Sequence, residues 1–122
     1  MRDQEWLNAA LTALDLVYFD GALSEDDVKV KWWPFKVSRG IVIYGDYCQK
    51  QIRINRVLAD PTVPTFVTIG TLFHETLHHV IGLEHDLTFS FAEAQYVHCT
   101  RAALWEREHF NRIVYMHQQG KK

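Results

Sequence analysis

The stretch His74-Glu75-Thr76-Leu77-His78 constrains this chain more than any other part of its sequence. On a helix, residues four apart lie about 40° apart around the axis and one turn apart along it. His74 and His78 therefore point their imidazoles in the same direction and can share one metal ion. Glu75 projects to the side, where its carboxylate can reach a water on that metal. This pattern is typical of a zinc hydrolase in which the glutamate is the general base.

The residues around the motif are apolar on nearly every side of the predicted helix, which indicates that the helix is buried. These residues are Phe66, Val67, Ile69, Leu72, Phe73, Leu77, Val80 and Ile81. Two histidines on one face of a buried helix need a polar partner, and a metal ion satisfies both at once. The alternative is an ordinary helix whose histidines are solvated or satisfied by hydrogen bonds.

A catalytic zinc site usually has three protein ligands, so a third ligand is expected after His78. His85 is the first candidate because it follows Gly82, a residue that can end the helix and let the chain reverse. Asp86 is the adjacent alternative. Glu93 is the other one, because some zinc hydrolases take a glutamate from the following helix. Glu93 also completes a capping-box pattern that begins at Ser90, and a further role open to it is to orient a ligand imidazole.

Length and composition predict one globular domain over residues 1–122. The formal net charge of −2 gives no indication of a broad basic surface for nucleic acid. Cys48 and Cys99 fit no C-x-x-C pattern, and free buried thiols in a reducing compartment are favoured over a disulfide. No signal peptide and no apolar run of membrane-spanning length are recognised, so a cytoplasmic protein of phage or bacterial type without a membrane partner is expected.

The hydrophobic pattern predicts an α+β fold with a small, mainly antiparallel three-stranded sheet. An N-terminal helix capped by Asp3 comes first, followed by strands around 28–33, 41–44 and 51–55. The metal-binding helix follows, with Gly70 leaving room for a close neighbour such as the sheet. The last helix is expected to start near Ser90 and to be interrupted or frayed after Trp105.

Several segments resemble the SprT-like zinc metallopeptidases, a group of compact zincins. In chain order they are Tyr18-Phe19-Asp20-Gly21-Ala22-Leu23, Gly40-Ile41-Val42-Ile43-Tyr44, Ile52-Arg53-Ile54-Asn55-Arg56-Val57-Leu58, the motif itself and His85-Asp86-Leu87-Thr88-Phe89. The resemblance implies a zinc (Zn2+) peptidase with His74, His78 and His85 as ligands and Glu75 as base. It also implies a protein or peptide substrate paired with the edge of the 51–55 strand, whereas DNA association follows only by analogy with the family.

Two other functions remain open at the level of sequence. Gly82-Leu83-Glu84-His85 is similar to a segment of the three-histidine ribonucleases of rRNA maturation, although these have a small residue where this chain has Glu75. The second is a zinc-stabilised binding module that catalyses no reaction. His79 is expected to point away from the metal and to make a polar contact. Tyr44, Tyr47 and Tyr96 are candidate donors to a developing oxyanion.

Overall fold

Helix α1 spans Gln4–Tyr18 and begins as predicted, because the Asp3 side chain accepts a hydrogen bond from the Trp6 N–H at 2.8 Å. The computed structural model describes residues 1–34, 37–38 and 41–120, without the side chains of residues 37, 38, 41 and 116–120. Three apolar residues of α1, Leu7, Ala10 and Leu14, are buried, and the helix packs against the sheet and α3. A short helix, α2, covers Ala22–Glu25.

The main sheet has three strands, as predicted, in the order β1-β5-β4. Its strands are β1 (Lys29–Trp33), β4 (Gly45–Cys48) and β5 (Gln51–Asn55). β4 and β5 form an antiparallel hairpin, but β1 runs parallel to β5. The sheet is therefore mixed, whereas a mainly antiparallel sheet was predicted. The α+β class itself is confirmed.

The strand predicted at 41–44 differs from the observed one. Only Ile41–Val42 (β3) is extended in a ladder, and it pairs with Val37–Ser38 (β2) in a separate two-stranded sheet. The strand that joins the main sheet begins at Gly45, directly after the predicted 41–44 segment. Gly40, the start of the second resembling segment, lies outside the described residues.

A 3-10 helix, Arg56–Ala59, leads from β5 towards α3, which covers Thr65–Val80. Seven of the residues of α3 are buried, including Glu75, whereas Val80 and Ile81 at its end are exposed, so the helix is less enclosed than expected. Gly70 does make room for a neighbour, but this neighbour is not the sheet. A Cβ at Gly70 would lie 3.2 Å from the Tyr96 ring.

The region after α3 forms two helices, not one. α4 covers Leu87–Glu93 and α5 covers Cys99–Gly120, so the break lies at 94–98 and not after Trp105. The N-cap of α4 is Asp86, whose carboxylate accepts a hydrogen bond from the Phe89 N–H at 3.0 Å. The capping box predicted for Ser90 and Glu93 is therefore wrong, because Ser90 lies inside this helix.

In the part of the chain that the structure describes, no helix is both long and apolar enough to cross a bilayer. Cys48 and Cys99 are free thiols, but Cys48 is exposed and Cys99 is only partly buried, so the prediction that both are buried is wrong.

Candidate metal centre

Three histidine side chains converge at the end of α3. The Nε2 atom of His85 lies 3.2 Å from that of His74 and 3.1 Å from that of His78. Three nitrogens bound at about 2.0–2.1 Å to one tetrahedral ion lie roughly 3.3–3.4 Å apart, so the spacing fits a shared ion. Among the described residues, these three form the group that could hold a metal. The predicted convergence is thus found, and Asp86 is not part of it.

Hydrogen bonds to the other ring nitrogens leave the Nε2 atoms of His74 and His78 free to bind a metal. His74 Nδ1 contacts the Glu93 carboxylate, and His78 Nδ1 lies 3.0 Å from the Gly82 carbonyl oxygen. Each acceptor favours a proton on Nδ1, so the lone pair of the neutral ring lies on Nε2. Glu93 was considered either as a third metal ligand or as a residue that orients a ligand imidazole. Its contact with His74 Nδ1 corresponds to the second role.

The same contacts change how readily these rings are protonated. Burial lowers the pKa of His74, but the hydrogen bond and charge of Glu93 outweigh it and leave the pKa raised. The hydrogen bond to His74 holds the pKa of Glu93 below its usual value. Burial lowers the pKa of His78, which favours the neutral imidazole that a metal requires.

His85 reaches the cluster because the chain reverses directly after α3. Gly82 has a φ of +136°, which other residues rarely adopt, and it ends the helix as predicted. Phe89 of α4 is buried beneath the three rings, with centroid distances of 4.9, 4.7 and 5.0 Å to His74, His78 and His85. Phe89, the last residue of the final resembling segment, thus packs against all three imidazoles.

Glu75 lies beside the cluster and is only 5% exposed. It packs on Gly45 at the start of β4, where an added Cβ would lie 3.1 Å from Glu75 Cγ and 3.2 Å from Oε2. Burial raises the pKa of Glu75 to about 7, against the opposing charge of His74. Nothing in the sequence near Glu75 indicated the contact with Gly45.

A cavity of about 380 Å³ opens next to His74 and Glu75, between the start of β4 and helices α3 and α5. The residues that line it are Tyr44, Gly45, Gly70, Thr71, Phe73, His74, Glu75, Glu93, Tyr96, Cys99, Ala102, Ala103 and Glu106. Sequence reasoning missed Glu106. Its spacing of three and seven residues from Ala103 and Cys99 places it on the inner stripe of α5, and that spacing was the available signal.

The remaining candidate residues have partners of their own. His79 contacts Tyr47 Oη at 2.7 Å and the Asp26 carboxylate at 2.8 Å, which is the polar contact expected for it. Tyr96 Oη donates to the Phe66 carbonyl at 2.8 Å. Of the three tyrosines considered as oxyanion donors, Tyr44 and Tyr96 line the cavity and Tyr47 does not.

No protein-family model matches this chain, and no curated protein or solved structure shows significant similarity to it. The similarity to SprT-like peptidases therefore stays a prediction from its motifs.

Proposed function

We propose that this chain is a zinc-dependent metallopeptidase of SprT-like type that hydrolyses peptide bonds. One observation carries the proposal: a buried glutamate with a raised pKa adjoins three imidazole nitrogens spaced for one metal ion. A binding module would need the three imidazoles but has no use for a carboxylate kept buried beside them. The free cysteines accord with a reducing cytoplasm, which we propose as the compartment.

His74, His78 and His85 would hold the ion. Three neutral imidazoles suit zinc, which takes nitrogen ligands and keeps a fourth position open in catalytic sites. When bound, zinc would supply Lewis acidity, which lowers the pKa of a water towards 7 and polarises the carbonyl of a substrate.

Glu75 would move the proton. Its carboxylate accepts a proton from the attacking water, and its environment keeps that proton from escaping to solvent. The Glu75 carboxylic acid then donates the proton to the leaving amine as the C–N bond breaks. A carboxyl group with a pKa of about 7 suits both steps near neutral pH, because it can exist in either form.

The substrate edge expected at Gln51–Asn55 is not available, because β5 is the central strand and pairs on both sides. The opposite edge of β4 has no strand partner among the described residues, and β4 packs against α3, as β5 does. We therefore place an extended peptide along Gly45–Cys48. This edge ends at Gly45, next to Glu75.

The test is a comparison of zinc-loaded wild-type protein with Glu75→Gln on unfolded protein substrates, with cleavage followed by mass spectrometry. We expect the variant to keep one zinc ion per chain and to lose about 10²–10⁴-fold in rate, the usual contribution of general acid–base catalysis. Glu84→Gln is the matched control, because it removes an exposed carboxylate close to His85. Full activity in Glu75→Gln would reject the mechanism, and cleavage of structured RNA in place of protein would favour the ribonuclease alternative.

A further inference from the structure

The cavity beside His74 and Glu75 contains one carboxylate that the proposed mechanism does not use. Glu93 is engaged with His74, and Glu75 is the proposed base, but Glu106 enters from α5 with neither role. Within the described part of the chain, Glu106 makes no hydrogen bond or ion pair. The cavity is thus not only an approach to the candidate metal centre, because its wall carries an additional carboxyl group.

The electrostatics of the cavity favour a positively charged occupant. Among the described residues, its lining includes three carboxyl groups and no lysine or arginine, which leaves His74 as the basic side chain there. Burial raises the pKa of Glu106, and the charge of Glu93 adds to the effect. Burial and then the charge of Glu106 raise the pKa of Tyr44, which also lines the cavity. A cation placed among these groups would relieve the unfavourable interactions of the glutamates.

The other walls suit the apolar part of a long cationic side chain. Tyr44 is held in place by stacking on Phe110, with ring centroids 4.3 Å apart. Ala102 and Ala103 precede Glu106 by about one helical turn on α5 and line the cavity with small side chains. The volume falls within the roughly 300–1,000 Å³ range of ligand pockets. An alkyl stem between aromatic and alanine side chains with its charge at a carboxylate is the usual arrangement for lysine or arginine.

We infer that this cavity is a specificity pocket for a cationic group of the substrate, an ammonium or guanidinium that pairs with Glu106. The inference rests on the proposed peptidase function and adds the substrate class to it. The cation has two sources in a peptide: the side chain of lysine or arginine, or a free amino terminus. Glu106 would be a specificity-determining residue, with Glu75 alone moving the proton.

The test uses zinc-loaded Glu75→Gln protein, in which peptide binding can be measured by calorimetry without cleavage. Four peptides of otherwise equal sequence carry lysine or norleucine at one internal position, each with a free or an acetylated amino terminus. We expect the lysine peptide, or the free amino terminus, to bind about tenfold more tightly than its neutral counterpart, as for a hydrogen bond to a charged group. Adding Glu106→Gln should abolish that preference, and Glu106→Lys should make the cationic peptide bind more weakly than its neutral counterpart.

Glu108→Gln is the matched control, because it removes a carboxylate from the same helix at an exposed position. It should leave the tenfold preference unchanged. Equal binding of all four peptides, or a preference that survives Glu106→Gln, would overturn the inference. Wild-type cleavage of the same peptides separates the two proposals. Cleavage without cation preference keeps the peptidase and removes the pocket, whereas Glu106-dependent binding without any cleavage keeps the pocket and removes the peptidase.

Discussion

At the scale of single residues, the proposed proton transfer depends on the burial of Glu75. A carboxylate on an exposed helix face titrates near pH 4.5, where it is a weak base at neutral pH. In this protein, Glu75 is enclosed by its own helix and by the backbone at Gly45. The glycine allows the strand to approach the carboxylate closely, and this enclosure raises the pKa.

The raised pKa makes a prediction about the stability of the metal-free protein. Because the folded-state pKa of Glu75 is about 7, against 4.5 for the ordinary group, the folded chain retains a proton that the unfolded chain releases. The stability that this group contributes is fully present below pH 4.5 and is lost as the pH rises to 7. Between pH 5 and 7, the free energy of unfolding should therefore fall by about 2 kcal/mol more in wild-type protein than in Glu75→Gln.

Urea unfolding in the presence of a chelator at pH 5, 6 and 7 measures this difference. His74 and Glu93 titrate in both proteins, but loss of the Glu75 charge also changes the pKa of His74, so the difference reports Glu75 together with its coupling to His74. If the free energy of unfolding changed with pH equally in the two proteins, the folded chain would not hold a proton on Glu75 in this pH range.

At the scale of elements, several residues of α4 and its N-cap together support the candidate metal centre. It follows the His85 turn, is capped by Asp86, places Phe89 beneath the three imidazoles and ends with Glu93 at His74. α3 supplies two of the nitrogens, but their orientation depends on this second helix. The centre is therefore built by the packing of two helices joined by the turn at Gly82.

Removal of the Glu93 carboxylate should weaken metal binding without unfolding the protein. We expect Glu93→Ala to lower zinc affinity about 10–100-fold, because His74 loses the acceptor that orients it, and we expect Glu93→Gln to lose less since its amide oxygen can still accept. Competition with a chromophoric chelator gives the dissociation constants. Gln95→Ala, at an exposed position just beyond α4, is the control. Unchanged affinity in Glu93→Ala would mean that this hydrogen bond does not prepare His74 for a metal.

At the scale of the whole molecule, the fold does not depend on the metal for its core. The buried hydrophobic cluster draws on α1, the main sheet, α3 and α5, and most of it lies away from the histidines. The metal-free protein should consequently be folded, in contrast to small zinc domains that unfold on chelation.

Zinc should raise the melting temperature because it binds only the folded chain. At a free concentration one hundred times the dissociation constant, the gain is about 2.7 kcal/mol, which corresponds to roughly 10 °C for a domain of this size. His85→Ala should lose most of this shift, and magnesium should produce none because it prefers oxygen ligands. Calorimetry with and without each ion measures the effect. A chain that loses its folded structure on chelation would instead support the zinc-stabilised binding module.

Local features of the protein were determined by the sequence itself. The helical spacing of His74 and His78, the turn at Gly82 that returns His85 and the cap at Asp3 each depend on neighbouring residues, and each is found in the structure. Such features follow from backbone conformation and helical geometry, which operate over a few residues.

Tertiary structure alone decided which distant residues surround the motif. The parallel pairing of β1 with β5, the contact of Gly45 with Glu75 and the entry of Glu106 into the cavity join segments far apart in the chain. The break at 94–98 sets the direction of α5, and periodicity alone did not locate it. The sequence could therefore predict which three histidines converge and that Glu75 belongs to the same helix, whereas the pocket beside them depends on long-range packing, which no local pattern records.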